Sequence, residues 1–358
     1  MEGVDHALDL RRYIPSTLKR VMRSGADLAA RMSGILAHRE RGMTSGLTVL
    51  MYHRVLPEER CAGYPLPSLV MPLGVFREQV RWLVAHGEVL PLAEALTRNG
   101  SGDDGRRRAF ALTFDDGYND AWEIVADVLE DTGIRGTFFV TTGFVGTNEL
   151  LWFDQAALLF AAVSEPLRQE IAQEVCGERR AGERPQGGAD GATWTKYLKG
   201  CDTEDRAGIL SSLERATGGS PKADGFRALS VAQLVELHRR GHEIGSHTVS
   251  HAMLPHLDDA SLKSEVEDAR DAISSWLGGT VQGFCYPNGD HDERSVAAVV
   301  RAGHAYACTT HPGLHLLGGD PYRIRRVDIV PQRVTDGSGN LDETAFRREL
   351  CGLYRRRE

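Results

Sequence analysis

The sequence predicts an α/β fold, a layered sheet or barrel interrupted by one helical stretch. From Leu47 onward, short apolar runs alternate with helical patterns, and strands separated by helices pair in parallel. Between residues 150 and 229 the alternation stops and only helical patterns remain. The chain has 358 residues, 41% hydrophobic and 26% charged, enough for one large barrel with an insertion or for two average domains.

Taken in order, residues 1–45 form a basic, amphipathic N-terminal segment. Between positions 10 and 41 eight Lys and Arg face only Asp27 and Glu40, and Leu18, Val21, Met22, Leu28, Met32, Ile35 and Leu36 fall near helical spacing. Such a helix can lie on an anionic membrane surface or pack on the main domain. Residues 46–335 carry the main domain. Its expected strands are Leu47–Tyr52, Phe110–Phe114, Gly136–Thr141, His242–Ser246, Gln282–Tyr286, Ala305–Thr309 and Ile324–Ile329. Helical patterns run over Phe76–His86, Asp120–Asp131, Val231–Arg240, Ala260–Leu277 and Glu293–Arg301. Inside the 150–229 insertion, Trp152–Val163, Pro166–Cys176 and Glu204–Ala216 read as helices, and the Gly- and charge-rich Gly182–Gly191 reads as a mobile loop. Residues 336–358 read as a C-terminal helix.

Composition excludes several classes. A formal net charge of -8 argues against nucleic-acid binding by the whole chain. No run of 18 apolar residues predicts a transmembrane helix. The N-terminus carries Asp5 and Asp9 and no apolar core segment, so no signal peptide is expected. Six scattered cysteines read as reduced thiols. The expected location is the cytoplasm, with peripheral contact at the inner membrane surface if the N-terminal helix binds there.

Chemistry concentrates in Thr113-Phe114-Asp115-Asp116-Gly117-Tyr118, at the carboxyl end of an expected strand, where functional residues of α/β folds gather. Alone, Asp-Asp-Gly reads as a helix N-cap with a turn glycine. A second group, His247-Thr248-Val249-Ser250-His251, ends another strand, and two His four apart can converge on one metal. Alone, it reads as structural or surface histidines. Together, Asp116, His247 and His251 make a two-His-one-carboxylate set that leaves metal positions open for water and substrate, with Asp115 as the adjacent base. Gly283-Phe284-Cys285-Tyr286-Pro287-Asn288-Gly289 is a tight turn at a strand end whose N–H could meet an oxyanion. His53, in Tyr52-His53, also ends a strand and could donate a proton.

On these motifs, residues 47–330 resemble the polysaccharide deacetylases of carbohydrate esterase family 4, the NodB-homology domain. Thr113-Phe114-Asp115-Asp116-Gly117 matches the first motif of that family and His247-Thr248-Val249-Ser250-His251 the second. The resemblance implies a distorted (β/α)7-type barrel and a bound zinc, or another divalent ion such as Co2+ or Ni2+. It also implies Asp115 as general base, with Asp116, His247 and His251 as metal ligands. The third motif departs. Cys285 stands where an arginine is expected to orient the base, and Asn288 replaces a tyrosine whose N–H serves the oxyanion. Arg326 is the candidate to take over the arginine's role. For the general acid, many members use a histidine near the C-terminal end, here His311 or His315. A branch acting on exported poly-N-acetylglucosamine has a permuted arrangement with an early Tyr-His, which Tyr52-His53 resembles, and His53 is preferred.

The implied function is removal of N-acetyl groups from amino sugars of a polysaccharide, its lipid-linked precursor or its building block. Alternatives are a deacylase of a small acylated amine in secondary metabolism and a catalytically silent carbohydrate-binding domain. The expected partner is an N-acetylated sugar or oligosaccharide. Trp152, Phe153, Trp194 and Tyr197 are candidate walls of its pocket.

Overall fold

The computed structural model describes residues 34–98, 108–185, 189–222, 225–316 and 318–353. In chain order its strands are β1 (Gly46–Tyr52), β2 (Arg54–Leu56), β3 (Val70–Pro72), β4 (Gly87–Val89), β5 (Arg108–Phe114), β6 (Thr137–Val140), β7 (Glu243–Ser246), β8 (Gly283–Cys285), β9 (Tyr306–Cys308), β10 (His315–Leu316) and β11 (Val327–Asp328). Strands β1, β5, β6, β7, β8 and β9 follow one another as parallel neighbours. The segment leading into β11 closes the ring. Ile324 N–H donates to Ala307 O and Thr309 N–H to Ile324 O, both at 2.9 Å, while β11 pairs in parallel with β1.

The seven expected strands are thus the seven members of the ring. All seven residues of β1 are buried, the signature of a strand covered on both faces. The barrel is uneven: β7 and β8 share a single Cα pair, Ser246 with Phe284, and β11 has two residues. Four short strands were not expected from the sequence. Strands β2, β3, β4 and β10 have two or three residues each, too few for alternation to register. The aromatic stack Tyr52, Phe114 and Phe138 and the edge-on Phe76 tie three neighbouring strands to the helix Leu73–His86.

The insertion leaves the carboxyl end of β6 and packs as four helices, Trp152–Ala162, Glu165–Cys176, Gly191–Lys199 and Thr203–Thr217. It has a core of its own, including Phe160, Ile171, Trp194, Leu198, Ile209 and Leu213. The Gly191–Lys199 helix was not expected. Asp190 caps it by accepting from Thr193 N–H at 2.8 Å, and Trp194, Tyr197 and Leu198 form its buried face. Part of the expected loop is a 3-10 helix, Gly177–Glu183, and residues 186–188 lie outside the described residues.

Most of the basic N-terminal segment also lies outside them. Its end, helix Ile35–Gly42, packs on the domain through Leu36 and through Glu40, which accepts from Arg347 Nε and Nη2 at 2.6 and 2.9 Å. Arg347 belongs to the C-terminal helix Glu343–Leu350. No described helix is long and apolar enough to cross a membrane.

Candidate metal and acid–base centre

The site gathers at the carboxyl ends of the parallel strands. β1 runs into His53, β5 into Asp115 and Asp116, β7 into His247 and β8 into Asn288, and these residues line one cavity of about 870 Å³. Strand ends of a closed barrel converge on one rim, so distant residues meet there.

The two adjacent aspartates have opposite surroundings. Asp115 is held at both oxygens by Arg326: Nη1 donates to Oδ1 at 2.8 Å and Nη2 to Oδ2 at 2.7 Å. Arg326 also donates to Thr113 Oγ1, to Thr309 O and, at 3.0 Å, towards Cys285 Sγ. Burial alone would raise the Asp115 carboxyl, but the guanidinium holds it well below the usual carboxylate range. The guanidinium that meets Asp115 thus comes from Arg326, just before β11, while a cysteine, Cys285, stands at the end of β8. Asp116 lacks such a partner: both of its oxygens are buried without a hydrogen bond. Burial and the neighbouring carboxylates of Asp115 and Asp154 push it well above its ordinary value.

Facing Asp116 Oδ1 are His247 Nε2 at 3.6 Å and His251 Nε2 at 3.5 Å. His247 Nδ1 contacts Cys285 O at 2.7 Å, which turns Nε2 inward. Burial lowers both imidazoles, which favours the neutral form that can ligate a metal. Ligand-type atoms of Asp115, His247 and Cys285 also converge. There, however, Arg326 occupies both carboxylate oxygens, and burial keeps Cys285 a thiol.

Backbone constraint marks the same rim. Among the described residues, the non-glycine positions with positive φ are Asp116 (82°), Thr248 (68°), His251 (57°) and Asn288 (57°). Such conformations cost energy and persist where their surroundings enforce them. For the His247–His251 loop the enforcing group is Glu265, on helix Asp259–Leu277. Its carboxylate accepts from Val249 N–H and Ser250 N–H, both at 2.9 Å, and from Ser250 Oγ at 2.6 Å. Trp152 Nε1 donates to His251 O at 3.1 Å, and the Phe153 ring lies 4.9 Å from the His251 ring. Of the four aromatic wall candidates, Phe153 lines the cavity, while Trp194 and Tyr197 are in the insertion's core.

Asn288 accepts from Lys199 Nζ at 2.7 Å through Oδ1, donates to Asp290 Oδ2 at 2.8 Å and accepts from Thr310 Oγ1 at 3.0 Å through its carbonyl. His53 is half-buried, and burial pushes it down to about 4, against the pull of Asp115. His311 is exposed, and His315 pairs with Leu47 at the opposite end of β1; neither lines the cavity. Sequence reasoning missed Lys199 and Glu265. Lys199 had a faint signal in its spacing from Lys196 on one helical turn; Glu265 had none.

A family model described as polysaccharide deacetylase matches residues 102–202 and 206–307. Over 103 residues, 29% of this chain, the sequence is 27% identical to YxkH of Bacillus subtilis (strain 168), classed by name with the polysaccharide deacetylases; the match spans 37% of that protein. The fold is similar to that of the Streptococcus pyogenes deacetylase PplD in complex with acetate, with TM-score 0.52 and 16% identity over 80% of this chain and 94% of that one. It is also similar to IcaB from Ammonifex degensii, with TM-score 0.52 and 18% identity over 80% and 93%. Since the family model spans more than half of the chain and takes in both the Asp-Asp pair and the two histidines, this protein belongs to the polysaccharide deacetylase family.

Proposed function

We propose that the chain is a metal-dependent hydrolase that removes the N-acetyl group of an amino sugar in a polysaccharide, its lipid-linked precursor or its building block. The observation that carries this reading is the division between the two aspartates. Asp116 offers bare, buried oxygens to two inward-facing imidazole nitrogens, while Asp115 is locked as a carboxylate beside them. The Asp116 carboxyl, raised while no cation faces it, would give up its proton when one binds, and that oxygen with two neutral imidazoles fits a divalent ion such as Zn2+, Co2+ or Ni2+. When bound, such an ion polarises the amide carbonyl and acidifies water.

The remaining work falls to the chain. Asp115, fixed by Arg326, takes the proton of the attacking water. Its strong pairing makes it a weak base, so this transfer depends on the water being acidified. The turn at Asn288 supplies the N–H for the tetrahedral oxyanion. His53, which burial pushes down to about 4, would first have to take up a proton, that which Asp115 receives from the water, and would then pass it to the departing amine. Family membership and the deacetylase relatives support this reading.

The test is acetate release from a panel of N-acetylated sugars and oligomers, with metal content measured in parallel. About one divalent ion per chain is expected from one three-ligand site. Chelation should abolish release, and zinc or cobalt should restore it. Full turnover by thoroughly metal-stripped protein would overturn the metal assignment, and no release from any member of the panel would overturn the activity.

A further inference from the structure

The cavity's charges are unevenly answered. Asp115 is matched by Arg326, and Asp328 shares Arg333 with Glu349: Nη2 lies 2.9 Å from Asp328 Oδ2 and Nη1 3.0 Å from Glu349 Oε2. Asp116 belongs to the proposed metal, and Asp290 is met by the Asn288 amide. Two cations lining the same cavity remain, Lys196 and Lys199, one turn apart on the insertion helix Gly191–Lys199. The ammonium of Lys199 donates to a neutral amide oxygen, Asn288 Oδ1, and Lys196 is exposed with no ion pair among the described residues. Asp116, Asp290 and Asp328 all act on the charge of Lys199, which leaves Lys196 as the lining cation without a described carboxylate partner. Helix ends favour lysines, which accounts for their presence but not for their facing the reaction chamber.

We propose that the substrate is an anionic amino sugar, bearing a carboxylate or a phosphate on or next to the acetylated residue, and that Lys196 and Lys199 bind that group. This rests on the deacetylase reading. A cation without a carboxylate partner on a cavity wall attracts ligand groups of the opposite sign and disfavours like-charged ones there. The chemistry is supplied by the barrel and the selection by the insertion, which leans its lysines over the Asn288 turn. Lys199 serves both sides, since it also holds Asn288.

The test compares kcat/KM for acetate release by the metal-loaded full chain on four substrates. The 1-phosphate of N-acetylglucosamine and an N-acetylated aminouronic acid are the anionic arms, and N-acetylglucosamine and its tetramer the neutral ones. Lys196 is the residue to vary, because it touches none of the proposed reacting groups. At least one anionic arm should exceed both neutral ones by about tenfold or more, and whichever does so identifies the anion. In Lys196→Glu that preference should fall by about tenfold or more, Lys196→Arg should keep it, and added salt should weaken it. Circular dichroism confirms that each variant is folded. Equal or better turnover of the neutral sugars, or a preference indifferent to Lys196→Glu in a folded variant, would overturn the proposal and leave the deacetylase reading standing. Release from none of the four substrates would overturn both.

Discussion

The barrel rim and the helical insertion face each other across one cavity, yet they hold their functional groups differently. On the rim, Asp116, Thr248, His251 and Asn288 sit at positive φ, a conformation costing roughly 1–3 kcal/mol per residue that the fold must offset. Glu265, the Thr141 N–H that donates to Asp116 O, and Thr310 provide bonds that fix it. On the insertion, Lys196 and Lys199 ride an ordinary helix over a separate apolar core. Groups proposed to meet reacting atoms stand on an over-determined backbone. Groups that select a substrate stand on a helix whose surface can change without disturbing the barrel. Substitutions on the rim should therefore damage metal binding or turnover for every substrate.

The largest effects break the rim itself. Asp116→Asn should lose the metal and nearly all activity. Asp115→Asn should keep the metal and lose about 10²–10⁴-fold in kcat, the usual worth of a general base. Metal analysis showing the opposite pattern would mean that the two roles are exchanged. His53→Ala should cost a similar factor, about 10²–10⁴-fold, with metal content unchanged. His315→Ala should be nearly silent, since His315 pairs at the far end of β1. A crippled His315→Ala beside an active His53→Ala would move the acid out of the rim.

A smaller effect tests whether the rim's strain is held from outside. In Glu265→Gln the side chain keeps its length, but its NH2 now confronts one of the three donors that the carboxylate accepts. The His247–His251 loop should loosen, and metal affinity should fall by about 10–100-fold, the usual cost of losing a group that orients metal ligands. Competition with a chromophoric chelator measures this without reference to turnover. Unchanged affinity would show that the loop holds its conformation unaided.

What could be read from sequence follows the same division. Ring strands such as Leu47–Tyr52 and Phe110–Phe114 were legible because burial on both faces makes them nearly continuous apolar runs. The proposed reacting groups were legible because they lie next to one another in short motifs at strand ends. Arg326 was found because one arginine was missing beside Cys285 and another lay at a later strand. Glu265 was not, because its link to Val249 and Ser250 exists only once helix Asp259–Leu277 lies against the loop. Lys199 was not, because its partner Asn288 is reached only when the insertion folds back over the rim. Its helix was missed as well, since glycine and two threonines blur the helical pattern between residues 191 and 195.

The smallest expected effect concerns the seam between the two regions and acts on stability. Asp154, in the first turn of the insertion's first helix, is fully buried and accepts from the barrel-side hydroxyls of Tyr64, at 2.7 Å, and Tyr118. Burial pushes its carboxyl up from an ordinary 3.8 to about 6, with Asp120 adding to the rise; the hydrogen bonds from Tyr118 and Tyr64 and the charge of Arg54 oppose it. A carboxyl raised in this way binds more protons in the folded chain than in the unfolded one between those two values. Its contribution to stability is therefore fully present below pH 3.8 and is lost as pH rises through about 6. Over that window the loss should amount to about 1–3 kcal/mol, superposed on the titration of the other carboxyls. Asp154→Asn keeps the side chain neutral at every pH. The variant's denaturation midpoint should therefore change with pH in this window less unfavourably than that of the wild type. Parallel curves for the two proteins would show that Asp154 is a carboxylate in the native state, with Arg54 and the two tyrosines holding the insertion to the barrel by charge.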